Sequence, residues 1–208
     1  MKINIRLLAA VLTVFASVLA SGCASKPDNQ RALYDLGPLR TTASAAQTGT
    51  ALKLPPVSVA EVNMPAWLDS PLMYYRLSYA NEQQPRPYAT NRWIAPPGRL
   101  FAERLKSRIA NAGGTVLSAS DGATGVRTLR IEADDFSQVF SAPGQSAGHI
   151  ALRASVLNGR VLVSQKTFEQ SAPAPSADAE GGAKALAMAS DAIIAQMITW
   201  LGSLPAPQ

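Results

Sequence analysis

The chain has 208 residues, with 19 Lys and Arg against 14 Asp and Glu, a net charge of +5, and 47% apolar residues. That is enough to bury a core of ordinary domain size. One histidine and one cysteine exclude the usual zinc sites, which need several such ligands, and any intrachain disulfide.

At the amino terminus, Lys2 and Arg6 form a short positive region ahead of an apolar run, Leu7 to Leu19. That run is shorter than the roughly 20 residues of a bilayer-spanning helix and suits a signal peptide. Leu19-Ala20-Ser21-Gly22-Cys23 follows, an aliphatic residue, two small residues and a cysteine, and resembles the bacterial lipobox. Residues 1–22 are therefore predicted to be a signal peptide, with Cys23 as the lipidated first residue of the mature chain. Lipidation would also remove a lone thiol from an oxidising compartment. Cleavage takes Lys2 and Arg6 with it, and the remaining basic residues form no run, so nucleic acid is not an expected partner.

Residues 23–31 read as a polar, lipidated tether, and 32–208 as one domain. Ala32 to Gly37 predicts a short strand closed by Gly37-Pro38, and Thr41 to Thr50 a small polar connection. Leu54 to Met64, with Val57, Val59 and Val62, predicts a strand with room for a bulge, stopped at Pro65. Leu72 to Tyr79 and Tyr88 to Ile94 predict a hairpin whose turn is Asn81 to Pro87. Phe101, Leu105, Ile109 and Ala112 recur at helical spacing and stop at Gly113-Gly114. Thr115 to Ser118, Val126 to Phe140, Ala147 to Leu157 and Arg160 to Phe168 predict strands. Asn158-Gly159 supplies a hairpin turn between the last two. Ser171 to Gly182 reads as a loop. Ala183 to Leu204 predicts a final apolar helix, and no segment after the signal peptide is expected to span a membrane. The sum is an α+β domain, a mostly antiparallel sheet with two amphipathic helices packed on one face.

His149 lies in an alternating β segment and reads as structural or exposed rather than catalytic. Glu132, Asp134 and Asp135 invite a cation or acid–base reading. Adjacent carboxylates on a strand point to opposite faces, however, and Glu132 and Asp134 share the solvated one. No nucleophile elbow or phosphate-cradling glycine motif is present, and Gly144, Gly148 and Gly181-Gly182 read as loop glycines. Neither a metal nor a cofactor is expected. Tyr74, Tyr75, Tyr79, Tyr88 and Trp93 concentrate around the first hairpin, either as sheet packing or as a partner surface.

Several ordered segments together carry a resemblance to a known family. Tyr34-Asp35-Leu36-Gly37 follows the lipobox; Pro65-Ala66-Trp67-Leu68-Asp69-Ser70-Pro71 and Tyr74-Tyr75-Arg76 follow the valine-rich strand. Arg92-Trp93-Ile94-Ala95-Pro96-Pro97 opens the first helix, and Trp200-Leu201 closes the last. In this order they resemble the ABC-type transport auxiliary lipoprotein component family (PqiC-like). That family more often has an acidic residue where Ala95 stands. The resemblance implies a non-enzymatic subunit partnered with the MCE-domain periplasmic component of an ABC transporter that moves lipid between membranes. It implies membrane attachment through the lipid anchor and leaves self-association open. It also runs through Tyr75, Arg76, Arg92 and Trp93, the candidate partner-binding residues. Ala24 after Cys23 favours the outer membrane, periplasm-facing, with inner-membrane retention as the alternative. The other functional readings are an outer-membrane assembly or structural lipoprotein and a periplasmic hydrolase.

Overall fold

In the computed structural model the described residues are 31–39 and 54–205. The predicted signal peptide, Cys23 and the connection at 41–50 lie outside them. The elements are β1 (Ala32–Tyr34), β2 (Val57–Asn63), β3 (Leu72–Leu77), β4 (Asn81–Trp93), α1 (Pro97–Asn111), β5 (Val116–Ser118), a 3-10 turn (Ala119–Asp121), β6 (Arg127–Ala142), β7 (Gln145–Asn158), β8 (Val161–Pro173) and α2 (Ala179–Gly202).

All eight strands join one sheet. The long ladders, β6–β7 and β7–β8, are antiparallel, as is β3–β4. The parallel contacts are short. β2 pairs with the start of β6, from Val57↔Arg127 to Asn63↔Glu132, and β3 with its end, from Tyr75↔Gln138 to Leu77↔Phe140. β6 thus serves two strands in succession. The sheet branches there, with β5 beyond β2 and β4 and β1 beyond β3. This is the expected α+β class.

Period-two alternation builds the core. Leu129, Ile131 and Ala133 of β6 share a buried face with Ile150, Leu152, Ala154 and Val156 of β7 and Phe168 of β8. Both helices cover that face. The expected bulge in β2 falls between Val59 and Val62, and all three valines stay buried. A second bulge lies between Ala133 and Asp135. It turns Phe136 and Gln138 inward and puts Asp135 on the opposite face.

Helix α1 buries Phe101, Leu105 and Ile109, spaced one turn apart. Gly113 at φ +80° ends it, with Gly113 N–H donating to Ala110 O and Gly114 N–H to Ile109 O, which satisfies two terminal carbonyls. Helix α2 starts earlier than the sequence suggests. Asp178 caps it, accepting from Gly181 N–H at 2.7 Å, so Gly181 and Gly182 sit in its first turn rather than in a loop. Gly148 likewise lies within β7, where a Cβ would stand 2.5 Å from Leu186 N and 2.7 Å from Ala185 C. The helix backbone rests on the sheet at that point.

Three further expectations are corrected. Asn81 to Pro87 is strand, not turn, and the chain reverses at Ser78 to Ala80, where Ala80 N–H donates to Leu77 O. The final strand runs past Phe168 to Pro173. Helix α2 is long and apolar enough to cross a membrane, with a mean hydropathy of 1.3, but half of that stretch is buried in this fold. The predicted Asn158-Gly159 hairpin is present: Asn158 pairs with Val161, and Gly159 at φ +59° and Arg160 make the turn.

Candidate docking surface

The β3–β4 hairpin places its aromatic residues on two faces of the sheet. Tyr75 faces the covered side, its ring centroid 4.7 Å from that of Tyr88 and 5.7 Å from that of Phe140. Tyr88 Oη donates to Oε1 of buried Gln138 at 2.7 Å. Burial, reinforced by Tyr75, Asp178 and Tyr34 nearby, pushes the Tyr88 phenol well above its usual range and keeps it a neutral donor. Trp93 is 2% exposed and packs edge-on against Phe136. Arg92 turns back on its own strand, donating to Tyr88 O and to Asn91 O at 2.8 Å. Of the four residues singled out in the sequence, these three support the hairpin from within.

Arg76 faces the other way, because side chains alternate along β3. Its Nε lies 3.5 Å from Asp135 Oδ2, its Nη1 donates to Glu82 O at 3.0 Å, and its guanidinium stands 5.0 Å from the Trp67 ring centroid. Trp67 in turn meets Tyr74 at 5.1 Å, nearly perpendicular. Arg76 and Asp135 line an open cleft of about 880 Å3 between the β3–β4 hairpin and the β6–β7 turn. His149 and Ser171 line it too, with His149 Nδ1 3.1 Å from Ser171 Oγ and Nε2 4.0 Å from Glu169. Val139, Ala147 and Pro173 make its apolar part. The cleft therefore mixes both charges, hydroxyls and apolar patches, which suits recognition of another surface more than enclosure of a small molecule.

Sequence reasoning set Asp135 aside together with Asp134 and gave no special weight to Trp67. The bulge after Ala133 and the parallel register of β3 on β6 bring Asp135 to Arg76, and the turn closed by Leu68 and Asp69 N–H on Pro65 O brings Trp67. Glu132 and Asp134 are exposed on that open face, Glu132 paired with Arg153. The described residues contain no group of three His, Cys, Asp or Glu able to hold a metal ion.

Sheet, helices and cleft define a branched α+β module with an open polar surface opposite its helices. The family model for the ABC-type transport auxiliary lipoprotein component matches residues 34–198, and the chain belongs to that family. It is similar to a solved Xanthomonas campestris protein of the DUF330 family, with a TM-score of 0.63 and 17% identity over 82% of this chain and 91% of that one. An uncharacterized protein of known structure gives 0.62 and 15%, over 83% and 99%. Those identities speak for the fold alone. No curated protein matches the sequence.

Proposed function

We propose that this chain is a lipid-anchored, periplasm-facing subunit of an ABC/MCE-type transport system. It docks the MCE-domain periplasmic component at the outer membrane for lipid transport between the membranes. The family match over residues 34–198 carries the reading, and the lipobox ending at Cys23 supports it. In this role Cys23 holds the chain to the membrane. Arg76 and the open cleft offer the contact, while Tyr75, Arg92 and Trp93 keep the hairpin in shape. Crosslinking in intact cells, with mass spectrometry of the captured proteins, tests the partner. Recovery of an MCE-domain protein is expected; an outer-membrane assembly complex in its place would overturn the reading.

Arg76→Ala tests the surface. The residue holds a largely buried ion pair, with side chains 20% and 19% exposed, a hydrogen bond to Glu82 O and a cation–π contact, so its loss costs about 2 kcal/mol of stability. Binding to the MCE-domain protein falls well beyond that, because arginine is a frequent hot-spot residue. Melting temperature and pull-down on one preparation separate the two effects. Binding that falls only in step with stability rules Arg76 out as a contact.

A further inference from the structure

A second cleft, of about 660 Å3, lies between β1 and α2, apart from the surface around Arg76. Leu33, Ile94 and Met188 line it and are 63%, 56% and 54% exposed. Only Tyr79, Val161 and Leu162 are comparably exposed large apolar residues among those described. Scattered single apolar residues are ordinary on a protein surface, whereas three converging on one concavity mark an interaction site. Its charged neighbours are engaged within the chain. Asp35 Oδ1 accepts from Gly37 N–H at 2.7 Å, Lys184 donates to Glu180 at 2.6 Å, and Arg104 and Arg108 share Asp191. The cleft thus offers apolar contact beside the Lys184–Glu180 pair, whose side chains are 59% and 60% exposed.

Chain connectivity indicates the occupant. Leu33 stands ten residues after Cys23. An extended chain spans at most about 3.6 Å per residue, so the anchor holds Leu33 within roughly 36 Å of its acyl chains. We propose that this cleft rests on the bilayer, with Leu33, Ile94 and Met188 entering the boundary between headgroups and acyl chains. The inference rests on the lipid-anchor reading of Cys23. It adds a second, non-covalent contact that sets which side of the domain faces the membrane, leaving the Arg76 cleft to a protein partner. Interfacial apolar side chains of this kind sit about 5–10 Å into that boundary.

The test uses the full lipidated chain in vesicles of phosphatidylethanolamine and phosphatidylglycerol. Cys23 is the only cysteine, and lipidation consumes its thiol, so an introduced cysteine is the sole labelling site. Leu33→Cys, Met188→Cys and the control Val161→Cys, all at exposed positions, are each labelled with a polarity-sensitive fluorophore. Flotation with the vesicles reports the anchor, and quenching by lipids brominated near the headgroup reports the cleft. Flotation with roughly threefold stronger quenching at 33 and 188 than at 161 is expected for side chains at interfacial depth. Flotation with equal quenching at all three sites overturns the membrane contact and leaves the anchor standing. No flotation, with the fluorophore on Cys23, overturns both. Labels at 33 and 188 that stay wet on vesicles and become shielded only when the MCE-domain protein is added show a protein contact in place of the bilayer.

Discussion

Helix α1 meets the sheet through three large side chains, Phe101, Leu105 and Ile109, whereas α2 also lays bare backbone on it, Leu186 and Ala185 over Gly148. Along α1 a Cβ on Gly98 would lie 3.1 Å from Val62 O, tight but adjustable; on Gly148 it would lie 2.5 Å from Leu186 N. Side chains can change rotamer to relieve a crowded contact, and packed backbone cannot. α2 is therefore fixed in height over the sheet before its large residues, Ile193, Ile194 and Met197, engage. α1 rests mainly on side chains that can give, with one looser backbone approach, Gly98 over Val62 O.

That contrast can be broken most sharply at Gly148. Gly148→Ala forces the α2 backbone off β7, and the expected loss is about 3 kcal/mol, at the upper end for overpacking. At about 2–4 °C per kcal/mol for a chain of this size, thermal melting should show a drop of roughly 6–12 °C. A variant melting like the parent would mean that α2 is free to lift.

Next in size is the joint between the helices. Arg104, buried in α1, donates to both carboxylate oxygens of Asp191 in α2 at 2.7 Å, and Arg108 adds a contact at 2.9 Å. Breaking a fully buried pair costs about 3–5 kcal/mol. Asp191 is 31% exposed, and Arg104 keeps its bond to Gly37 O, so Asp191→Ala should cost about 2 kcal/mol in urea unfolding. The pair also gives a pH signature. Burial pushes the Asp191 carboxyl up, but hydrogen bonds from Arg104 and Arg108 outweigh it and leave it below its usual range. A carboxylate lowered in the folded state adds stability above its unfolded pKa, about 3.9, and loses it as pH falls through the folded value. The gap between parent and Asp191→Ala should hold from pH 7 to about 5, then narrow below about pH 4. A gap that widens in acid would contradict this assignment.

The smallest effect is expected at Gly98. Gly98→Ala gains roughly 0.5–1 kcal/mol of helix propensity and crowds Val62 O and Met64. Met64 is flexible enough to yield, and Val62 O, at 3.1 Å, has to give by only a few tenths of an ångström, so a net change within about 1 kcal/mol is expected by the same melting assay. A loss as large as that at Gly148 would erase the distinction between the helices.

Periodicity made both helices and the long ladders visible in the sequence, because apolar residues recur at 3.6 or 2 wherever one face is buried. Local composition misled at Asn81 to Pro87 and at Ser171 to Gly182. The first has turn residues throughout, yet forms strand because its ladder with β3 is irregular and tolerates Pro85 and Pro87. The second holds two glycines that weaken a helix in isolation. Here a side chain at Gly182 would collide with the Gln138 amide, so close packing on the sheet outweighs propensity. Asp178 three residues before Gly181 was a readable cap. The cleft was less legible. Arg76 stands out only through a family motif; its partner Asp135 arrives through strand order and a bulge, and Trp67 through the turn before β3.

The branching of the sheet at β6 carries a consequence for assembly in time. β6, β7 and β8 are joined by tight turns, so their ladders close over short loops. Val57 finds Arg127 and Tyr75 finds Gln138 only across 70 and 63 positions. Closing a longer loop costs only about 0.6 kcal/mol more per doubling, but the cost comes before the ladder repays it. The C-terminal meander is thus the template, and β2 and β3 are late additions to a strand made after them in the chain's own order. The chain is made amino terminus first, so β3 can pair with β4 at once, whereas β2 waits unpaired until β5 and β6 have followed it.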